Sequence, residues 1–269
     1  MSPAANLPAL ILAAGRGERM RPLTDTCPKP LLEVRGQRLI EWHLAALARD
    51  GVRDVVINTA YLEDQFEPAL GDGRRWGLRI RYSHEGREHG GALETAGGIA
   101  TALPLLNEDG HAAHGSARDR AFWVVAGDVF VPGFRFDAAA AEAFLHDPVQ
   151  QQDDAHLWLV PNPAHVPTGD FALNAAGRIL RKDSAPAGTP TFTYSTIGLY
   201  RARMVEGVAV GQKAPLRPCL DRAIDSGRLG GEVWPGDWTD VGTPQRLAAL
   251  NGDRDGPHGD RRAAGHPTS

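Results

Sequence analysis

Leu12-Ala13-Ala14-Gly15-Arg16-Gly17-Glu18-Arg19-Met20-Arg21-Pro22-Leu23-Thr24 is the stretch on which the reading of this chain turns. The apolar run from Ala9 to Ala13 stops abruptly at Gly15-Arg16-Gly17, as a buried strand does when it ends in a turn. Small residues there let backbone N–H groups approach a polyphosphate, and Arg16, Arg19 and Arg21 add positive charge beside them. A tight turn with no ligand accounts for Gly-x-Gly equally. Two other phosphate motifs are excluded. The dinucleotide fingerprint needs a third glycine where Met20 stands, and a P-loop needs Gly-Lys-Ser/Thr.

Downstream, Pro28-Lys29-Pro30 holds a lysine between two φ-locked prolines, pre-aimed at little entropic cost. A helix is expected over 38–50, with Ile40, Leu44 and Leu47 at i, i+4 and i+7 and Gly51 at its end. Residues 54–58 and 78–83 read as strands, 95–106 as a helix, and 122–126 as a strand stopping at Gly127-Asp128-Val129. This alternation predicts an α/β fold with a Rossmann-like, mainly parallel sheet flanked by helices. Residues 156–160, 177–182 and 192–200 read as strands of a smaller β-rich lobe, and 215–226 as a helix. The expected organisation is one domain over 8–250, with a core over 8–135 and the lobe and closing helices over 136–250. Residues 107–120 read as an exposed insertion and 251–269 as a disordered tail.

The 269 residues carry 29 Lys plus Arg against 33 Asp plus Glu, a net charge of -4. That disfavours a nucleic-acid polymer as partner, since such binders need excess cations to displace counterions. No apolar run approaches the ~20 residues of a membrane span, and the first residues lack a basic signal-peptide region. A cytoplasmic protein is expected, with no membrane partner. Cys27 and Cys219 are too few for a disulfide framework. The histidines show no zinc spacing, and no Gly-x-Ser-x-Gly elbow occurs. Asp128, at the carboxyl end of a buried strand, and Asp240, in Trp238-Thr239-Asp240-Val241-Gly242-Thr243, are the candidate ligands of Mg²⁺. That hard cation typically takes one or two carboxylates plus substrate phosphates. Turn chemistry is the alternative for both.

Taken together, Leu12 to Thr24 and Pro28-Lys29-Pro30-Leu31 resemble the signature of sugar-1-phosphate nucleotidylyltransferases. Leu93-Glu94-Thr95-Ala96-Gly97-Gly98, Gly127-Asp128-Val129, Gly169-Asp170-Phe171 and the Asp240 segment agree in order, so the resemblance spans about 8–251. It implies the nucleotide-diphospho-sugar transferase fold and Mg²⁺-dependent transfer of a nucleotidyl group from a nucleoside triphosphate to a sugar 1-phosphate. Within the family the wording is most similar to the branch that uses UTP and N-acetylmuramate 1-phosphate, in peptidoglycan recycling. Guanylyl or thymidylyl transfer to mannose, heptose or glucose 1-phosphate is the alternative, and a non-catalytic nucleotide-sugar-binding regulator a further one.

By resemblance, Arg19, Lys29 and Asp128 are catalytic, and Asp128 and Asp240 hold the metal. Leu12, Ala13, Ala14, Gly15, Arg16, Gly17, Glu18, Arg19, Lys29, Glu85, Gly86, Glu94, Thr95 and Gly98 are the expected nucleotide-binding set. Val129, Asn162, Gly169, Asp170, Ser195 and Thr196 are expected at the sugar. Relatives often carry Gly where Glu94 stands, and residues 87–92 are additional. A muramate substrate would also bring a lactyl carboxylate, for which Arg181, Lys182, Arg201 and Arg203 are the available cations.

Overall fold

The computed structural model describes residues 7–107 and 116–252. Its first half contains β1 (Ala9–Leu12), the hairpin β2 (Glu33–Val34) and β3 (Gln37–Arg38), α1 (Leu39–Arg49) and β4 (Asp54–Thr59). These lead to α2 (Phe66–Leu70), β5 (Arg79–His84), α3 (Glu85–His89), α4 (Glu94–Leu106), β6 (Ala121–Ala126) and β7 (Val129–Phe130). The second half contains α5 (Ala138–His146), β8 (Ala155–Val160), β9 (Phe171–Leu173), β10 (Ile179–Arg181) and β11 (Thr191–Arg201). It closes with α6 (Arg217–Asp225), β12 (Leu229–Val233), β13 (Thr239–Asp240) and α7 (Pro244–Gly252).

β1 lies between β4 and β6, parallel to both, and β5 continues the parallel set beyond β4. Because both of their faces are covered, β1, β6 and the middle of β4 are apolar instead of alternating with polar residues, whereas the outermost β5 carries Arg79 and Arg81. Ala9 and Ile11 face one core, which also holds Ile40, Leu44, Val55, Trp123 and Phe144. Leu10 faces a second core with Ile99, Val124, Leu157, Tyr200 and Leu220. The period of two therefore assigns α1 and α5 to one side of the sheet and α4 and α6 to the other.

The mixed part of the sheet begins at β11, antiparallel to β6 on one side and to β8 on the other. β12 joins β8 in parallel. Only the N-terminal end of β11 leaves this layer, at Thr191 and Phe192, where it pairs with β9, and β9 with β10. The strands read as a lobe thus share one nine-stranded sheet with the first half.

Two expected boundaries change. Asn251 and Gly252 finish α7, and Asn251 ties that helix to the β2–β3 hairpin by donating to Glu33 O at 3.1 Å and accepting from Arg35 N–H at 2.6 Å. The stretch read as a tail therefore starts too early, and residues 253–269 lie outside those described. Of the expected insertion, 108–115 also lie outside, but Asp119 is built into the fold. Its carbonyl accepts from Arg201 Nη1 at 2.8 Å and its carboxylate from Arg203. Cys27 and Cys219 are free thiols. Among the described residues no helix is long and apolar enough to cross a membrane.

Candidate active site

The carboxyl ends of β1, β4 and β6 open onto one cleft, where α/β sheets place their ligands. It has two adjoining hollows. The smaller, ≈ 430 Å³, is walled by the loop from Leu12 to Met20 with Lys29, Asp128 and Gly242. The larger, ≈ 780 Å³, is walled by Asn58, Glu94, Thr95, Asp170, Thr196 and Arg217, among others. Leu12, Gly15 and Asp128 belong to both, so Asp128 stands at the junction.

The loop after β1 is folded down onto Lys29. Gly17 has φ +64°, and a Cβ there would lie 3.1 Å from Thr24 Cγ2 and 3.2 Å from Lys29 Cβ. Glycine is needed at this position both for its backbone and for the space. Lys29 is buried at its base, and its Nζ donates to Asp128 Oδ2 at 2.7 Å. Asp240 reaches the same place through β13, which pairs antiparallel with β7 so that Val241 N–H donates to Asp128 O at 3.0 Å.

Asp240 Oδ2 accepts from Arg246 Nη1. Its Oδ1 is buried without a hydrogen bond, although His165 Nε2 stands 3.1 Å away. Arg19 completes this side, with Nη2 3.6 Å from the point a Cβ on Gly242 would occupy. Beneath Asp128, burial depresses the His43 pKa to about 4, so the ring is neutral and its Nε2 proton is donated to Val129 O at 2.9 Å. Among the described residues no three His, Cys, Asp or Glu side chains cluster as a metal site, so two carboxylates are the acidic set here.

At the larger hollow a buried relay supports the loop. Asn58 Oδ1 accepts from Ala13 N–H at 2.8 Å, and its Nδ2 donates to Glu85 Oε1 at 2.6 Å. Glu85 Oε2 accepts from Leu93 N–H at 2.8 Å. Burial is the largest influence on Glu85 and raises its pKa despite these donors.

Three expected nucleotide contacts are therefore placed differently, and a fourth, Ala13, lines the smaller hollow with its N–H committed to Asn58 inside the fold. Glu85 is fully buried behind the wall. Gly86 packs on Ala60 O and Glu63, and Gly98 on Asn58 and Glu85. Glu94 and Thr95 do line the cleft, Glu94 with the unusual φ of +60° and its Oε1 3.7 Å from Lys213 Nζ.

Of the expected sugar contacts, Asp170 and Thr196 line the hollow. Asp170 is fixed by accepting from Tyr194 N–H at 2.9 Å, and Thr196 is turned outward by a bulge in β11 with φ +64°. Ser195 holds that bulge, donating to Trp158 O at 2.6 Å and accepting from Ile197 N–H at 3.2 Å. Val129 and Ser195 are buried. Asn162 bonds Thr191 and Thr193, and a Cβ on Gly169 would strike Asn162 and Phe192, so these two shape the wall from behind.

The four cations suggested for a sugar carboxylate serve elsewhere. Arg181 pairs with Asp225, and Lys182 donates to Gly169 O. Arg201 donates to the carbonyls of Asp119, Asp153 and Phe144, and Arg203 pairs with Asp119 and Asp154. The cations in the larger hollow are Lys213 and Arg217, which the sequence signalled only by standing four apart around Pro215. Asn58 was not singled out in the sequence, although a polar residue closing an apolar strand at its ligand end is a signal that could have marked it. His165 and Arg246 carried no such mark.

Comparison with known proteins decides the family: residues 8–254 match the model for Nucleotidyl transferase. The chain belongs to the nucleotidyl transferase family. This family member is 46% identical over 239 residues to N-acetylmuramate alpha-1-phosphate uridylyltransferase of Neisseria meningitidis serogroup B, covering 89% of this chain and 94% of that protein. It is 35% identical over 249 residues to the protein of the same name in Caulobacter vibrioides, covering 90% and 94%. A Bacillus anthracis structure described as a glucose-1-phosphate thymidylyltransferase with sucrose superposes with a TM-score of 0.69 over 91% of this chain and 95% of that one. At 22% identity that likeness concerns the fold, the mainly parallel sheet flanked by helices.

Proposed function

We propose that this nucleotidyl transferase moves a uridylyl group from UTP to N-acetylmuramate 1-phosphate, releasing pyrophosphate, with residues 8–250 acting as one catalytic unit. The observation that carries this reading is Asp128 at the junction of the two hollows, in a chain matching the Neisseria uridylyltransferase over nearly its whole length. The triphosphate lies in the smaller hollow and the base and sugar in the larger one.

The residues fit Mg²⁺. Asp240 offers a buried oxygen with no hydrogen bond, and Asp128, with its side chain 41% exposed, has one oxygen beyond the Lys29 bond. Two carboxylates with substrate phosphates make up an oxygen set that this cation favours. When bound, the ion supplies charge neutralisation and orientation at the reacting phosphates.

The chain's own residues do the rest. A sugar 1-phosphate oxygen is anionic near neutrality, its second pKa being ~6, so no general base is required. That oxygen forms a bond to the α-phosphorus while the bond to the β-bridging oxygen breaks and pyrophosphate departs. Arg16, Arg19 and Lys29 neutralise the leaving charge, and the loop from Leu12 to Gly17 positions it. Asp170 and Thr196 contact the sugar, and Glu94 and Thr95 the nucleoside.

The test is a panel of nucleoside triphosphates against sugar 1-phosphates, read by pyrophosphate release. The UTP and N-acetylmuramate 1-phosphate pair is expected to be fastest. A faster pair built on GTP or dTTP, or on a hexose without the lactyl group, would overturn the assignment. Asp128→Asn and Asp240→Asn are each expected to lose Mg²⁺-dependent turnover while keeping wild-type circular dichroism. Retained turnover in either would remove that carboxylate from the metal site.

A further inference from the structure

The larger hollow carries two cations that the transfer chemistry does not use, Lys213 and Arg217. Between them Ala214 is tied to the start of α4. Its N–H donates to Leu93 O at 2.9 Å, and its carbonyl accepts from Ala96 and Gly97 N–H at 3.0 and 3.1 Å. These bonds place the strap in the wall of the hollow. The two cations occupy different parts of it. Lys213 is beside Glu94, where the nucleoside is placed. Arg217 lies over the ring of Phe171, its guanidinium carbon 5.1 Å from the centroid, next in sequence to the sugar-facing Asp170.

This cation–π contact restrains the guanidinium beside the ring. Its Nε donates to Asp221 Oδ1 at 2.9 Å, and among the described residues neither Nη nitrogen donates to a protein group. The ion pair to Asp221 is half exposed and spaced i, i+4, a class that contributes little. It does not account for an arginine set against Phe171 at the wall of a cleft. Pro215, Leu216 and Leu220 give the same wall an apolar surface. The wall thus offers a planar, two-donor cation beside a patch that suits a methyl group.

We propose that Arg217 receives the carboxylate of the acidic side arm on the sugar 1-phosphate and is a specificity-determining residue. This rests on the reading above, in which the sugar carries a lactyl group, an acid with one methyl. The two Nη nitrogens match a carboxylate's two oxygens, which a lysine ammonium does not. The sugar phosphate itself belongs at the junction of the two hollows beside Asp128, so the two anions of one substrate are read at separate places.

The experiment is titration calorimetry with N-acetylmuramate 1-phosphate and with the methyl ester of its lactyl group. The proteins are the wild type, Arg217→Gln and Arg217→Lys, each also assayed for pyrophosphate release from UTP. Losing a charge-assisted hydrogen bond predicts affinity for the acid roughly 10- to 100-fold weaker in Arg217→Gln. Affinity for the ester is expected to change less than threefold, and Arg217→Lys to recover part of the loss for the acid.

Equal losses for acid and ester, or none for the acid, would overturn the role of Arg217 and leave the proposed function standing. Wild-type protein that releases no pyrophosphate with N-acetylmuramate 1-phosphate would overturn the proposed function, and the assignment of Arg217 with it.

Discussion

Lys29 is a charged side chain almost wholly out of water, and it stays there because Asp128 accepts its proton bond and the glycine turn closes over its stem. Such a cation is positioned before any substrate arrives, so its effect belongs to the transition state more than to binding. Lys29→Ala is expected to lower kcat on the order of 10²–10³-fold with a smaller change in KM, measured by steady-state pyrophosphate release. A rise in KM alone would assign Lys29 to uniform binding. Lys29 and Asp128 were legible in the sequence because a proline bracket and a strand-end position restrict what a residue there can do, and Asp240 through the family resemblance of its segment. Asn58, His165 and Arg246 were less so, since their roles depend on partners that only folding brings together. Asn58 serves Ala13 from 45 positions away.

Helix α4 shows the same limit at the scale of an element. Its extent was legible from its small and apolar residues, but two of its glycines are there for contact. A Cβ on Gly98 would fall 2.6 Å from both Asn58 Nδ2 and Glu85 Oε1, the middle of the relay that holds Ala13. An interior Gly→Ala change in a helix ordinarily stabilises by about 1 kcal/mol. Here Gly98→Ala is expected to destabilise by about 1–3 kcal/mol through overpacking, seen as a fall in Tm, and to raise KM for the nucleotide. A higher Tm would remove the contact argument. Other elements went unread for physical reasons. β9 has three residues and β13 two, too short for a period to register. α5 is built largely of alanine, which has helix propensity but little hydrophobic pattern, and depends on Asp137 accepting from Ala139 N–H.

At the scale of the whole molecule, two buried histidines set the response to acid. Burial depresses both His43 and His156 from 6.5 to about 4. A depressed histidine binds fewer protons folded than unfolded, so its contribution is complete above pH 6.5 and lost as pH falls towards 4. The loss is on the order of 3 kcal/mol for each by pH 4. Glu85 and Asp153, raised by burial, act with the opposite sign. Urea unfolding between pH 6.5 and 4 is expected to show falling stability, with a shallower slope in His43→Gln. An unchanged slope would mean that His43 does not titrate in this way. The parallel half of the sheet was legible because strands covered on both faces must be apolar. The joining of both halves into one sheet was not, since it follows from how β11 pairs on its two edges.

That pairing has a mechanical consequence. From Ile197 to Tyr200, β11 is held by β6 on one edge and β8 on the other, and the bulge that turns Thr196 into the cleft begins just before this clamped segment. The sugar-facing wall is thus cantilevered from the stiffest part of the molecule, so it cannot swing open as a rigid jaw. The strap around Ala214, anchored to α4 by three backbone hydrogen bonds, is the wall with fewer ties and so the one expected to yield when substrates enter. The cleft behaves as an anvil with one yielding lip. Amide hydrogen exchange is expected to be slow along 197–200 and faster at Ala96, Gly97 and Ala214, the donors of that lip.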